Sequence, residues 1–291
     1  MLAIGVDIGA TKISFVLMKN WRLIKRRKIL TPKDRGVLIK TLKENIERLI
    51  ADLPKSKILG IGIGIPGPLS KKGDLILNPP NLTCLKNFPL AKIIEKELRI
   101  KTKMANDVNC FTIAEATIGA GKGAGVVFGI TLGTGVGGGI VINGKIYQGA
   151  FSSAGEIGHA TINFDGPKCT CGSYGCLEEY CSERFIKREA GVSPKELEKE
   201  ARNGNKKAIN IFEKLGYFLG IGVSNIIDIL SPEIVVIGGG IAKAGKFFLK
   251  SVRKSAQSWS ISPVSKKYVT IKKAKLGDFA GAIGAALLLK S

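Results

Sequence analysis

One stretch constrains this chain more than any other: residues 153–180, SAGEIGHATINFDGPKCTCGSYGCLEEY. It holds His159, the sole histidine of 291 residues, and three of the six cysteines, Cys169, Cys171 and Cys176. One imidazole and three thiolates match the donor set of a closed tetrahedral zinc site. Gly166, Pro167, Gly172 and Gly175 punctuate the stretch, so it reads as a turning loop able to wrap a metal. The competing reading is three reduced cysteines beside a hydrogen-bonded histidine; the tight spacing favours the metal. Glu156, Glu178 and Glu179 flank the donors. A pinned loop that presents carboxylates suits the recognition of hydroxyl groups.

A second feature is a repeated strand–turn–strand pattern. Leu2–Val6 is an apolar run that breaks at Asp7-Ile8-Gly9-Ala10-Thr11-Lys12 and resumes over Ile13–Met18. The pattern predicts a β-hairpin whose turn carries an acid, a glycine and a hydroxyl. Backbone N–H groups of such a turn cradle phosphate, and Asp7 is placed to hold Mg²⁺ through water. A plain solvated hairpin turn has the same look. Gly125–Val141 repeats the theme, with Thr131-Leu132-Gly133-Thr134-Gly135 at the break and Gly137, Gly138 and Gly139 leading into the next apolar run. Setting Gly9 against Gly133 places Asp7 against Thr131. Lys57–Gly67 is echoed in the same way by Glu233–Gly240, which ends in Gly238, Gly239 and Gly240. These echoes suggest an internal duplication into two sheet domains. Neither glycine run has the spacing of a P-loop.

Between the repeats, apolar spacing predicts helices over 35–53, 89–98 and 208–230, with a buried strand over 57–65. Pro66-Gly67-Pro68 stops that strand at the edge where α/β sheets bind ligands. A short strand over 101–105 runs into Asn106-Asp107, followed by a helix. An acid at that junction reads first as an N-cap and second as a general base. A late edge strand is expected over 268–271, and Asp278 is expected to cap a final Ala- and Gly-rich helix, 279–289.

The chain carries 45 Lys+Arg against 23 Asp+Glu, a net charge of +22. That balance favours anionic partners, nucleic acid and phosphorylated small molecules among them. The basic residues are scattered, no basic stripe is interleaved with aromatics, and no helix-turn-helix segment precedes the first strand, so no specific nucleic-acid partner is expected. Met1 leads directly into a strand-like run, so no signal peptide is expected. No apolar run has the length of a membrane span. A cytoplasmic location without membrane attachment follows, in which cysteines ligate metal or are buried. Cys84, Cys110 and Cys181 lack ligand spacing and read as buried thiols.

Taken together, these motifs resemble the ROK family of sugar kinases and repressors, most closely its bacterial glucokinase-type members, over almost the whole length and in order. DIGATK at Asp7–Lys12 resembles the first phosphate motif, with Ala10 where a second glycine is usual. Asn106-Asp107 resembles the sugar-binding and catalytic pair, and LGTGVGGG at Leu132–Gly139 the second phosphate motif. GEIGH at Gly155–His159 and CTCGSYGCLE at Cys169–Glu178 are similar to the family signature and zinc motif, and are far more specific than the glycine turns.

The resemblance implies an α/β fold of two ribonuclease H-like domains, actin- and hexokinase-like, with an interdomain cleft. It implies an N-terminal domain over 1–118, joined by the returning helix 278–291, and a C-terminal domain over 119–277 with the zinc loop. It further implies ATP-dependent phosphorylation of a hexose primary hydroxyl, with Asp107 as catalytic base. Asn81, Asn106, Asp107, Glu156, His159 and Glu178 would contact the sugar. Asp7, Gly9, Ala10, Thr11, Lys12, Gly133, Thr134, Gly135, Gly137, Gly138, Gly139, Gly238, Gly239 and Gly240 would serve ATP and Mg²⁺. His159, Cys169, Cys171 and Cys176 would hold a structural Zn²⁺. A homodimer is the family-level expectation. Glucose leads as acceptor; N-acetylmannosamine, N-acetylglucosamine, fructose and allose stay open, as do donors such as GTP or polyphosphate. The loop after Asn81-Leu82 reads Thr83-Cys84-Leu85, where the family often has Pro-Gly-Trp, and this puts the sugar's identity in question. The alternative class is a noncatalytic sugar-sensing regulator. Family repressors carry an added N-terminal DNA-binding domain, for which a first phosphate motif at Asp7 leaves no room.

Overall fold

A computed structural model describes residues 1–290. The apolar runs become two five-stranded sheets. In the first, β1 (Leu2–Ile8), β2 (Lys12–Lys19), β3 (Arg22–Leu30), β4 (Ile58–Ile65) and β5 (Thr102–Asn106) take the order β3-β2-β1-β4-β5. β1 runs antiparallel to β2 and parallel to β4, and β4 is parallel to β5. Helices α1 (Arg35–Leu49) and α2 (Leu90–Leu98) connect them, and α3 (Asp107–Ile118) follows β5. α1 starts where the Asp34 side chain accepts the Val37 N–H, a standard N-cap. Leu38, Leu42, Ile46 and Leu49 of α1 are buried in a core with the inward residues of β1, β2 and β4. That is the stripe at i, i+4, i+8 and i+11 that the sequence pattern predicts.

The second sheet is built from β6 (Val126–Leu132), β7 (Val136–Ile142), β8 (Lys145–Ile146), β9 (Ile234–Gly238) and β10 (Thr270–Lys273), in the order β10-β9-β6-β7-β8. β6 is antiparallel to β7 and parallel to β9, and β9 is parallel to β10. Its helices are α4 (Glu178–Cys181), α5 (Glu183–Ala190), α6 (Pro194–Arg202), α7 (Lys206–Leu230), α8 (Gly245–Trp259) and α9 (Pro263–Tyr268). α7 and α8 approach closely because Gly216 and Gly220 leave no Cβ to meet Phe248 and Ser255. The last helix, α10 (Ala280–Leu287), lies on β1 and β4: a Cβ on Gly5 would collide with the Ala282 carbonyl, and one on Gly62 with that of Ala285. The Ala/Gly composition of α10 is therefore a packing requirement.

The chain divides into two compact units. One comprises 1–117, 146–154 and the residues from Asp278 onward; the other comprises 118–145 and 155–277. The short segment 146–154, expected within the C-terminal domain, is grouped with the first unit, where the Lys71 ammonium stands 5.8 Å from the Phe151 ring centroid.

Several local expectations are corrected. β3 is a strand the apolar pattern did not announce, since RLIKRRKIL is charged on both faces and exposed along most of its length. The late strand begins at Thr270, because 263–268 is helical. The N-cap position of α10 is held by Phe279, not Asp278, which sits in a short turn one residue earlier and pairs with Lys28 at 3.2 Å.

Candidate functional site

In the first unit the Gly9–Lys12 turn is closed by the Gly9 N–H donating to the Lys12 carbonyl at 3.0 Å. Two residues that sequence reasoning missed brace it. The Thr31 hydroxyl donates to the Gly9 carbonyl at 2.7 Å, and the Lys33 ammonium to the Ala10 carbonyl at 2.6 Å. Both act from the segment after β3, a long-range contact that no local motif signals. With its carbonyls engaged on one side, the turn is fixed, and Thr11 and Lys12 are exposed.

Asp7 is the next-to-last residue of β1, opposite Ser14 on β2 and Gly64 on β4. A Cβ on Gly281 of α10 would collide with its carboxylate. Part of Asp7 reaches the surface, but burial of the carboxyl raises its pKa to about 7; Asp107 pushes the same way, and Lys28 offsets part of the shift. Cys110, packed near Asp7 and Asp107, is held well above the ordinary thiol range, by burial first, and stays protonated. A carboxylate with so costly a charge is relieved by a cation, so Asp7 fits a metal-holding role.

Asp107 opens α3. The capping duty falls on its neighbour: Asn106 Oδ1 accepts the N–H groups of Val108 at 2.9 Å and Asn109 at 3.2 Å. Asp107 Oδ1 also accepts the Val108 N–H, at 2.9 Å. Asn106 thus satisfies the helix end, which weakens the case for Asp107 as a mere cap. Asn81 is exposed and left-handed, at φ 61°, in the loop between β4 and α2.

In the second unit the four expected metal donors converge: one donor atom each from His159, Cys169, Cys171 and Cys176, all within 4.8 Å of one another. Cys169 Sγ is 3.8 Å from His159 Nδ1, and Cys171 Sγ is 3.6 Å from Cys176 Sγ. The edges of a tetrahedron built on ~2.3 Å zinc–sulfur bonds run to about 3.8 Å, so the residues present fit such an ion. The thiols diverge in acidity. Cys171 is held below the ordinary value, chiefly by a backbone bond at Ser173, whereas Cys176 is pushed up to about 12, chiefly by burial. Without a cation the cluster does not ionise fully.

Glu178 adjoins this loop and is nearly buried, 9% exposed. Its Oε2 accepts the Val136 N–H at 2.9 Å, and its Oε1 pairs with Arg184. Glu156, by contrast, is exposed just before the turn that carries His159. Cys169, Glu178 and Glu179 also lie close enough to suggest a second metal group, but the Arg184 guanidinium already pairs with both carboxylates.

The glycine run after Leu132 separates into two parts. Gly133, Thr134 and Gly135 form the turn, with the Gly133 N–H donating to the Gly135 carbonyl at 2.9 Å. Gly137, Gly138 and Gly139 are instead strand residues of β7, paired with Thr131, Ile130 and Gly129. Gly138 lacks a side chain because the Gly155 carbonyl, at the start of GEIGH, occupies that space. At the end of β9, Gly239 has φ 88° and packs against the Leu132 backbone, while Gly240 borders open space.

The sequence model of the ROK family matches residues 3–291. The chain belongs to the ROK family. A glucokinase from Halalkalibacterium halodurans is 34% identical, over 99% of this chain and 94% of the relative. The crystal structure of a ROK family glucokinase from Streptomyces griseus, in complex with glucose and AMPPNP, superposes with a TM-score of 0.86 at 31% identity, covering 99% of each chain. A xylose repressor from Caldicellulosiruptor bescii is 31% identical, over 99% of this chain and 78% of the repressor. The two sheets with their helices have the α/β, actin-like fold of ROK hexokinases. No helix among the described residues is long and apolar enough to cross a membrane.

Proposed function

We propose that this ROK protein transfers the γ-phosphoryl group of ATP to the primary hydroxyl of a hexose, with glucose as the first candidate. One observation carries the reading. The chain matches, over 99% of its length, a glucokinase whose structure holds glucose and AMPPNP, and it keeps an acid at the β5–α3 junction whose helix end is already capped by Asn106.

Asp107 takes the proton as the hydroxyl oxygen attacks phosphorus in line and the bond to the ADP leaving group breaks. Such a base supplies roughly 10²–10⁴-fold. Positioning and charge neutralisation supply most of the rest. Asn81, Asn106, Glu156, His159 and Glu178 are the residues assigned to the sugar's hydroxyls. The turns Gly9–Lys12 and Gly133–Gly135 donate N–H groups to phosphate oxygens, and Gly239-Gly240 admits the nucleotide. Gly137, Gly138 and Gly139 follow on β7, where Gly138 makes room for the Gly155 carbonyl. When bound, Mg²⁺ neutralises phosphate charge, and Asp7 is the residue that would hold it through water. His159, Cys169, Cys171 and Cys176 would hold Zn²⁺ with no open position, so that ion fixes the loop and does not activate water.

A coupled ADP-release assay across glucose, N-acetylmannosamine, N-acetylglucosamine, fructose and allose tests the reading and names the sugar. The repressor relative supports a second reading, a sugar-responsive regulator of the same fold. Sugar binding without ADP release from any of the five would favour it.

A further inference from the structure

Arg184, in the first turn of α5, was not among the residues the motifs singled out. Its guanidinium meets three parts of the second unit. Nη2 donates to Glu178 Oε1 in a short hydrogen bond and stands 2.9 Å from Glu179 Oε1. Nη1 donates to Thr170 Oγ1 at 3.2 Å, and Thr170 lies between the metal-donor residues Cys169 and Cys171. Nε is buried without a hydrogen-bond partner. The fold thus accepts an unpaired donor in order to place the two terminal amines.

From this geometry we propose that Arg184 is a positioning residue for the sugar site: it aims Glu178 and ties that aim to the shape of the metal loop. The inference rests on the sugar-kinase reading for what Glu178 receives. A carboxylate has about four lone-pair positions. Arg184 occupies one on Oε1, and the Val136 N–H occupies one on Oε2. One position on each oxygen is left for a hydroxyl, and rotating the group would break a bond at one end or the other. Gly135 makes this placement possible, since a Cβ there would occupy the space of Oε2. A carboxylate fixed at both oxygens suits a polyol with neighbouring hydroxyls. The planar guanidinium alone reaches both acids and Thr170 together; an ammonium is a point donor.

The rival role is purely structural. Glu178 and Glu179 are 9% and 5% exposed, and Arg184 would then only neutralise two adjacent buried acids. Arg188 assists that duty, its Nη1 standing 3.8 Å from Glu179 Oε2.

The test compares wild type, Arg184→Met, Arg184→Lys and the double variant Arg184→Met/Glu179→Gln. Sugar KM, ATP KM, kcat, melting temperature and zinc content are measured for each. Arg184→Met is expected to raise the sugar KM about tenfold or more, with the ATP KM within about threefold of wild type. Arg184→Lys should fall between the two. The double variant removes the surplus acid, so it should recover melting temperature while keeping the raised sugar KM. If it recovers the sugar KM too, Arg184 only neutralises charge and the proposal is overturned. Equal rises in sugar and ATP KM overturn it as well. Failure of the kinase reading is distinguishable, because wild type would then release no ADP with any sugar.

Discussion

In the first unit β2, β1, β4 and β5 lie side by side, with β1 antiparallel to β2 and parallel to β4; in the second, β7, β6, β9 and β10 repeat that order and those directions. Asp7 and Thr131 hold the same place in the two sheets. Each is the next-to-last residue of its strand, and each faces a glycine on the parallel neighbour, Gly64 or Gly238. The first place carries an acid with its pKa raised to about 7, influenced by a second acid, Asp107. The second carries a neutral hydroxyl. The second unit gains instead the segment 155–177, with four side chains that could hold a metal, followed by the Glu178–Arg184 pair of α4 and α5. The two sheets share one topology and divide in what they carry: an acid pair on the first, and on the second a cluster of metal-capable side chains beside a carboxylate–guanidinium pair.

That division is most exposed to test at Asp107. Asp107→Asn keeps shape and removes the proton acceptor, so kcat should drop by roughly 10²–10⁴-fold while sugar affinity changes only a few-fold. Steady-state kinetics with calorimetric sugar binding checks this. Near-normal turnover would leave the first unit without its base.

Next in size is the metal loop. Purified, chelator-washed protein should hold about one zinc per chain by plasma mass spectrometry, from the four-donor count. Cys171→Ser should lose it, raise the sugar KM roughly 10–100-fold and change the ATP KM little. The variant should also melt at a lower temperature, because bound metal contributes to folding. A metal-free wild type together with a silent Cys169→Ser would reduce the site to buried thiols.

Smaller is the effect of pH through Asp7. A carboxyl whose pKa is higher folded than unfolded binds its proton more tightly when folded. Its stabilising contribution is complete below the unfolded value of 3.8 and is lost as pH rises through about 7. In metal-free protein, Asp7→Asn should flatten the melting profile between those values and melt higher than wild type at pH 8. The difference is on the order of a few kcal/mol at most, since part of the side chain is open to water. Parallel profiles for the two proteins would refute the raised pKa. The smallest effect is expected at the matching place: Thr131→Val should leave the pH profile of melting as in wild type, because no titrating group is removed.

Much of this was legible in the amino-acid order. Periodicity locates α1, α2, α7 and the central strands, because each buries a continuous apolar stripe. The convergence of one histidine and three cysteines is legible because three of the four fall within eight residues, and the aligned turns at Gly9 and Gly133 foreshadow the strand order that the two sheets share. What escaped depends on partners distant in sequence or on exposed backbone. β3 lacks an apolar face, so its pairing with β2 leaves no pattern to read. Thr31 and Lys33 brace Gly9 and Ala10 across 22 and 23 residues. Arg184 reads as one more basic residue until α5 brings it onto Glu178. Gly138 is not told apart from the turn glycines by sequence, because a glycine required by packing looks the same as one that approaches a ligand.

Everything proposed for this scaffold turns on whether it phosphorylates a sugar. Coupled ADP release, measured for wild type and Asp107→Asn with each of the five sugars and Mg²⁺-ATP, tests it most directly. Sugar-dependent release by wild type, with one sugar preferred, and loss of that release in Asp107→Asn are expected. No sugar-dependent release by wild type, or equal release by the two proteins, would contradict it.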